Sequence, residues 1–261
     1  MSSDQRSKPV EDLRPLLESW PYEDDEGLQV RRIIAADGRP ILQLRVDLGL
    51  LQMECEGRPD GRRPYGYESL LEYHRARAEE HRRQHGWYEG IELSPADCAA
   101  LRLECIQYYH RRVAYRELQE YGAAVADADH NLEILDLLKA FAREREDWLQ
   151  TEAYRPFILA HRYECQALRW MQQGDARAAL LEIERGLRAV REAFAEQDRV
   201  DGIADSLEIT ILEEARRKLA SRQQVSFRHR LQILLDDALR REDPDAAADL
   251  RAQLRYLERD E

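Results

Sequence analysis

Apolar and polar residues alternate with a spacing of two between Leu28 and Cys55, which is the pattern of strands that bury one face. The alternation is interrupted at Asp37-Gly38, a pair that supplies the positive φ values of a tight turn. We therefore predict a β-hairpin around this pair, with a third strand near residues 50–54. The next segment, EGRPDGRRPYGY, is rich in proline and glycine and predicts a loop.

The rest of the chain has the apolar spacing of helices. One helix is predicted from Glu68 to His85 with Gly86 at its end, and Ser94 and Pro95 mark the start of another as cap and first helical residue. Residues 95–220 predict four to six helices packed in antiparallel pairs. The breaks between them are predicted at Tyr121-Gly122, Arg155-Pro156, Gln173-Gly174-Asp175 and Asp201-Gly202.

Two stretches of this helical region share a scheme of small and aromatic positions that resembles a tetratricopeptide (TPR) repeat. Tyr108 and Tyr163 occupy matching positions 55 residues apart, whereas tandem repeats of this kind recur at roughly 34 residues. The region is therefore interpreted as TPR-like, without a regular array. The second, clearer stretch carries Ala167, Trp170, Gly174-Asp175, Ala179, Ile183 and Gly186, and the weaker first one carries Tyr108, Tyr115, Tyr121 and Ala124.

Residues 227–259 have two apolar stripes at helical spacing, separated by Asp243-Pro244. Ser226 is predicted to cap the first helix, while Asp243 and Pro244 suit the cap and first position of the second. The pattern predicts a helical hairpin. The first stripe consists of Leu231, Leu234, Leu235, Ala238 and Leu239, and the second of Ala247, Leu250, Leu254 and Leu257.

This hairpin resembles the UVR motif shared by UvrB and UvrC, in which a turn of the type Glu-Asp-x-x-x-Ala-Ala leads into Leu-Arg-x-x-Leu/Ile-x-x-Leu. Proline at 244 departs from the residue often found after the aspartate. The resemblance implies protein docking, because the motif pairs UvrB with UvrC, and related motifs occur in ClpC and McsA. The matching residues are Glu242-Asp243, Ala247-Ala248, Leu250-Arg251, Leu254 and Leu257.

A hairpin of this size is too small to bury both stripes by itself. Its partner is predicted to be a second copy, the UVR hairpin of another protein, or a flank of its own helical domain. The wider chain is similar to bacterial UvrB/UvrC-motif proteins without an assigned activity, so the resemblance implies architecture more than function. The residues expected to contact a partner are Leu231, Leu234, Leu235, Leu250, Arg251, Leu254 and Leu257.

The predicted fold class is mainly α, with TPR-like antiparallel helical hairpins between a small β-sheet subdomain and a UVR-type hairpin. We predict a disordered leader at residues 1–12, a β-containing subdomain at 13–64, a TPR-like helical domain at 65–222 and the UVR-type hairpin at 223–261. The 261-residue length is sufficient for such an organisation.

Net charge and hydropathy limit which molecules the chain is expected to contact and in which compartment we expect it. The net charge of −12 opposes binding to the DNA backbone, so we expect no direct contact with nucleic acid. Neither a bilayer-spanning apolar stretch nor a secretion signal is recognised, and we expect a cytoplasmic protein without membrane contact. The cysteines lack any C-x-x-C pair and are interpreted as buried free thiols. They are Cys55, Cys98, Cys105 and Cys165.

Candidate chemistry is sparse, and we expect neither enzymatic activity nor a cofactor. His74, His81 and His85 fall on one predicted helix and are weak metal candidates, because the glutamate of a metallohydrolase is missing and neighbouring arginines would repel a cation. Guanidinium groups in the proline- and glycine-rich loop are a weak anion-binding candidate, against the simpler interpretation that they pair with nearby acids. They belong to Arg58, Arg62 and Arg63.

The sequence thus favours a non-enzymatic adaptor that docks partners through the C-terminal hairpin and a TPR-like groove. One alternative is a DNA-repair or stress-response accessory that acts through a UvrB- or ClpC-like partner. Another is a metal-dependent or novel enzyme centred on the histidine helix or on the arginine loop.

Overall fold

The computed structural model describes residues 12–23, 27–199, 201, 203, 206–240 and 244–257. The predicted leader at 1–12 lies outside this range except for Asp12. The chain forms two compact units, the first up to Glu152 and the second from Ala153. The described chain is mainly helical with a small antiparallel sheet, in agreement with the predicted class.

The sheet has three strands, β1 (Val30–Ile34), β2 (Pro40–Val46) and β3 (Gly49–Glu54), in the order β1-β2-β3. Strand β2 pairs with both β1 and β3 in antiparallel orientation, with Val30 opposite Leu44 and Leu44 opposite Leu51. Gly38 has a φ of 84° in the first turn, so the predicted hairpin and third strand are confirmed. The central strand β2 is the most buried of the three.

Five α-helices lie in the described part of the first unit, and local capping signals explain their main boundaries. The Ser94 hydroxyl accepts the Asp97 backbone N–H at 3.2 Å, and the Asp97 carboxylate accepts the Ser94 N–H at 3.0 Å. Gly86 ends the second helix with a φ of 84°, as predicted. The helices are α1 (Arg14–Ser19), α2 (Leu70–His85), α3 (Pro95–Glu117), α4 (Tyr121–Phe141) and α5 (Arg145–Glu152).

The core of the first unit lies between α2, α3 and α4. Helices α3 and α4 form an antiparallel hairpin joined at residues 118–120, where Gln119 adopts a φ of 59°. The break predicted at Tyr121-Gly122 is therefore slightly misplaced, because both residues already belong to α4. The buried members of this apolar cluster are Leu70, Leu71, Leu93, Cys98, Leu101, Ile134, Leu137 and Leu138.

The second unit contains the helices α6 (Arg155–Gln172), α7 (Ala176–Glu196), α8 (Leu207–Arg240) and α9 (Pro244–Leu257). The break predicted at residues 173–175 is confirmed, and Gly174 has a φ of 81° there. The break predicted at Arg155-Pro156 is slightly misplaced, because both residues already belong to α6. Gly202, part of the fourth predicted break, lies outside the described residues. A buried cluster of small and branched side chains joins α6, α7 and the first half of α8.

The start of the C-terminal hairpin differs from the prediction. Helix α8 is 34 residues long and continues through position 226, so Ser226 cannot cap a helix and that prediction is wrong. At 1.5 Å per residue this helix is about 50 Å long. The boundary predicted between residues 222 and 223 falls within it.

Within the described residues, no helix combines the length and apolar character needed to cross a membrane.

Candidate functional site

The C-terminal half of α8 and helix α9 form the predicted hairpin, and they bury a small apolar cluster between them. Leu235, Ala238 and Ala247 are its buried members. Leu250 and Leu254 of α9 are partly buried against the same cluster. Much of the two predicted stripes is therefore used within the chain.

The residues expected to contact a partner consequently fall into different environments. Leu231 and Leu235 are buried, whereas Leu234 is 49% exposed and Arg251 is also exposed. The side chain of Leu257 and the motif residues Glu242-Asp243 lie outside what the structure describes. The structure brings the stripes together as the core of a hairpin and leaves Leu234 exposed among their described members.

An exposed apolar strip remains on the α8 side of this hairpin. Phe227 and Leu234 are both 49% exposed, and their separation of seven residues places them on the same face of the helix. Leu239 is 47% exposed on the opposite flank of the buried stripe. We call Phe227 and Leu234 the α8 strip. Phe227 was not included in the sequence prediction, although its spacing from Leu234 provides the signal.

The predicted arginine loop lies beside a cavity of about 320 Å³ at the end of β3. Arg58 is largely buried, with its Nε 3.2 Å from Asp60 Oδ1 and 3.7 Å from Glu104 Oε2. Arg63 pairs with Glu68 at 3.4 Å, and the strongly exposed Arg62 is 4.0 Å from Asp60. Each arginine thus has an acidic neighbour, which weakens the case for an anion site.

A polar network that the sequence did not predict lies next to this loop. Glu104 of α3 is completely buried and accepts the backbone N–H groups of Leu70 and Leu71 at 2.8 and 3.2 Å. Its Oε1 is also 3.0 Å from His130 Nε2. The carboxylate therefore lies at the N-terminus of α2. The first N–H groups of a helix have no acceptor within the helix, and together with the helix dipole they favour a negative charge there.

A buried ion pair between Arg111 and Asp127 holds the segment after β3 in place. Arg111 donates to both carboxylate oxygens of Asp127, at 2.9 and 2.6 Å, and to the carbonyl oxygens of Glu54 and Gly57 at 3.1 and 2.7 Å. Burial opposes the charge of Arg111, but the bond to Asp127 raises the pKa of the guanidinium above its usual value. The Tyr115 hydroxyl donates to the Cys55 carbonyl at 2.6 Å. This geometry indicates a structural clamp.

The three histidines predicted on one helix are separated by their environments. His74 is buried, its Nε2 is 3.9 Å from Asp97 Oδ1, and burial lowers its pKa. His81 and His85 lie near the exposed end of α2, with ring centroids 4.3 Å apart. Among the described residues, no group of three or more His, Cys, Asp or Glu side chains is arranged to hold a metal ion.

None of the four cysteines forms a disulfide bond. Cys98 and Cys165 are buried, as expected, whereas Cys55 and Cys105 are partly exposed. Burial raises the pKa of Cys98 to about 11 and that of Cys105 to about 12. Neither group has the lowered pKa that activates a nucleophilic thiol.

No family model, curated protein or solved structure matches this chain.

Proposed function

We propose that this chain is a non-enzymatic docking protein whose C-terminal hairpin pairs with the same hairpin of a second copy. The observation that carries the proposal is the α8 strip, because Phe227 and Leu234 remain half exposed on one face of a helix. Large apolar side chains gathered on one face favour a protein contact, since covering them removes apolar area from water. The UVR-type interpretation of residues 231–257 is part of this proposal.

The core within the hairpin is small, which favours additional packing of the hairpin against another surface. Its buried members include two alanines, Ala238 and Ala247, which contribute little apolar area each. A hairpin of about 30 residues is below the size at which its own core usually suffices. Pairing two such hairpins would cover both copies of the α8 strip and form a four-helix arrangement.

The charge distribution favours a second copy in an antiparallel arrangement. Residues 227–257 carry as many arginines as acidic residues, whereas the whole chain has a net charge of −12. The exposed Arg228 and Arg255 lie toward the open end of the hairpin, and the exposed Asp236 and Asp249 lie closer to the connection. Twofold symmetry with reversed hairpins brings opposite charges toward each other.

The α6–α7 hairpin supports the TPR-like part of the proposal, in which these helices offer a further protein contact. A side chain at Gly186 would place its Cβ 2.6 Å from the Cβ of Tyr163, so the close helix crossing requires glycine. Ala167 and Ala179, two other small positions of the predicted scheme, are buried in the same core. Small residues where two helices cross are the physical basis of such hairpins.

Sedimentation equilibrium of the full chain tests self-pairing through a Leu234→Asp variant. We expect the wild type to dimerise and the variant to dissociate roughly 100-fold more readily, because two buried leucines are lost per dimer at about 1.5 kcal/mol each. Leu181→Asp in α7 is the matched control, since Leu181 is a helical leucine of similar exposure, 53%. We expect this control to remain dimeric.

Circular dichroism should show unchanged helix content in both variants, because both leucines are substantially exposed. A wild-type chain that stays monomeric over the accessible concentrations would refute pairing between copies. Equal weakening by both substitutions would also contradict the proposal, since it would remove the special role of the α8 strip.

A further inference from the structure

The last turns of α2 bring two imidazoles together outside the proposed docking surface. His81 and His85 are separated by four residues, so they lie on the same side of the helix. Their ring centroids are 4.3 Å apart with an angle of 46° between the planes. Histidines four residues apart on one face of a helix are a known spacing for binding the same metal ion, and these two rings are neighbours.

The loop after α2 supplies a hydrogen-bond acceptor to His81. Gly86 and Gly90, with φ values of 84° and 91°, turn the chain back toward the helix. The Glu89 carbonyl oxygen consequently lies 2.9 Å from His81 Nε2. A carbonyl oxygen can only accept a hydrogen bond, so Nε2 carries the proton and the neutral ring keeps its lone pair on Nδ1.

This hydrogen bond has the form found around metal-binding histidines. A coordinating imidazole commonly donates its other ring N–H to a backbone carbonyl or carboxylate, which fixes the tautomer and the ring orientation. The Glu89 carbonyl provides such an acceptor for His81 before any ion binds.

The neighbouring arginines do not leave the helix end strongly positive. Arg82 donates to Glu79 through Nε at 3.0 Å and through Nη2 at 2.5 Å, and Arg83 pairs with Glu80 at 3.0 Å. The two glutamates therefore compensate the charges of these two guanidinium groups. This compensation reduces the repulsion that a cation beside His81 and His85 would meet.

We propose that His81 and His85 form a two-imidazole site for a divalent transition-metal ion such as Ni(II) or Zn(II). Imidazole nitrogen suits these ions, whereas Mg(II) and Ca(II) prefer oxygen ligands. His74 is not part of the site, because it is buried beside Asp97. The remaining coordination positions are filled by water, which makes this an open site.

Isothermal titration of the untagged full chain with Ni(II) tests the proposal, with Mg(II) as the cation control. We expect one Ni(II) per chain and no comparable heat with Mg(II). Removing even an indirect partner of a metal ligand costs about 10–100-fold in affinity, so His81→Ala and His85→Ala should each weaken Ni(II) binding at least tenfold.

Gln84→Ala is the matched control, because Gln84 is an exposed neighbour of His85 on the same helix. This variant should bind Ni(II) like the wild type, and circular dichroism should show that all three variants remain folded. Absence of stoichiometric Ni(II) binding, or unchanged affinity in His85→Ala, would overturn the two-histidine site. This result is independent of whether the C-terminal hairpin self-associates.

Discussion

Replacing Glu104 by alanine is expected to destabilise the first unit by about 3–5 kcal/mol, the range found when one partner of a buried ion pair is removed. The completely buried carboxylate accepts two backbone N–H groups at the start of α2 and contacts His130. It also lies 3.7 Å from the guanidinium of Arg58. Alanine would leave all of these groups without their shared acceptor.

The Glu104→Gln variant tests the contribution of the negative charge separately from that of the side-chain shape. Glutamine preserves the side-chain volume and one carbonyl acceptor, so we expect a smaller loss of about 1.5–3 kcal/mol, the value of a hydrogen bond to a charged group. Glu117→Ala near the end of the same helix is the control, because Glu117 is exposed and such substitutions usually change stability by less than about 0.5 kcal/mol.

Peptide-resolved hydrogen exchange is the appropriate measurement for this series, because one unfolding signal from a chain with two compact units does not define one free energy. Protection should fall most in peptides from the start of α2. Equal protection in Glu104→Ala and Glu117→Ala would show that the carboxylate does not anchor this helix.

The second large loss of stability is expected when the buried ion pair of Arg111 and Asp127 is broken. Asp127→Ala should cost about 3–5 kcal/mol, because it leaves the Arg111 charge in a buried position without its carboxylate. Replacing both residues, as Arg111→Met with Asp127→Leu, should cost less than the single change. Apolar residues of similar volume remove both charges together.

The double variant should still loosen the chain after β3. Arg111 also donates to the carbonyl oxygens of Glu54 and Gly57, and methionine cannot replace these bonds. Limited trypsin digestion should therefore cut faster in the arginine-rich segment 58–63 than in the wild type. A double variant that is less stable than Asp127→Ala, or cleavage at the wild-type rate, would contradict this account of the clamp.

Local signals in the sequence were sufficient for several elements of the fold. The Asp37-Gly38 turn and the Ser94 cap were predicted correctly because a few adjacent residues determine them. The prediction that Ser226 caps a helix was wrong because serine is also tolerated inside a helix. Helix α8 already begins at Leu207, where its first half packs against α6 and α7, and it continues through position 226.

The polar network depends on distant partners and was not predictable in this way. Glu104 meets the N-terminus of α2 across 34 positions and His130 across 26. A glutamate within a charged helix looks like a solvent-facing residue until the packing of α2, α3 and α4 is known. The histidines show the same limit, because their spacing did not reveal that His74 is buried, His81 partly buried and His85 exposed.

In the proposed dimer, the α8 strip packs against the hairpin of a second copy. Hydrogen exchange of the full chain at low and high protein concentration tests it most directly, because pairing should slow local opening where the copies meet. We predict that a higher concentration increases protection in peptides covering residues 227–239 and in α9. Unchanged protection there across the concentration range would contradict the proposed pairing.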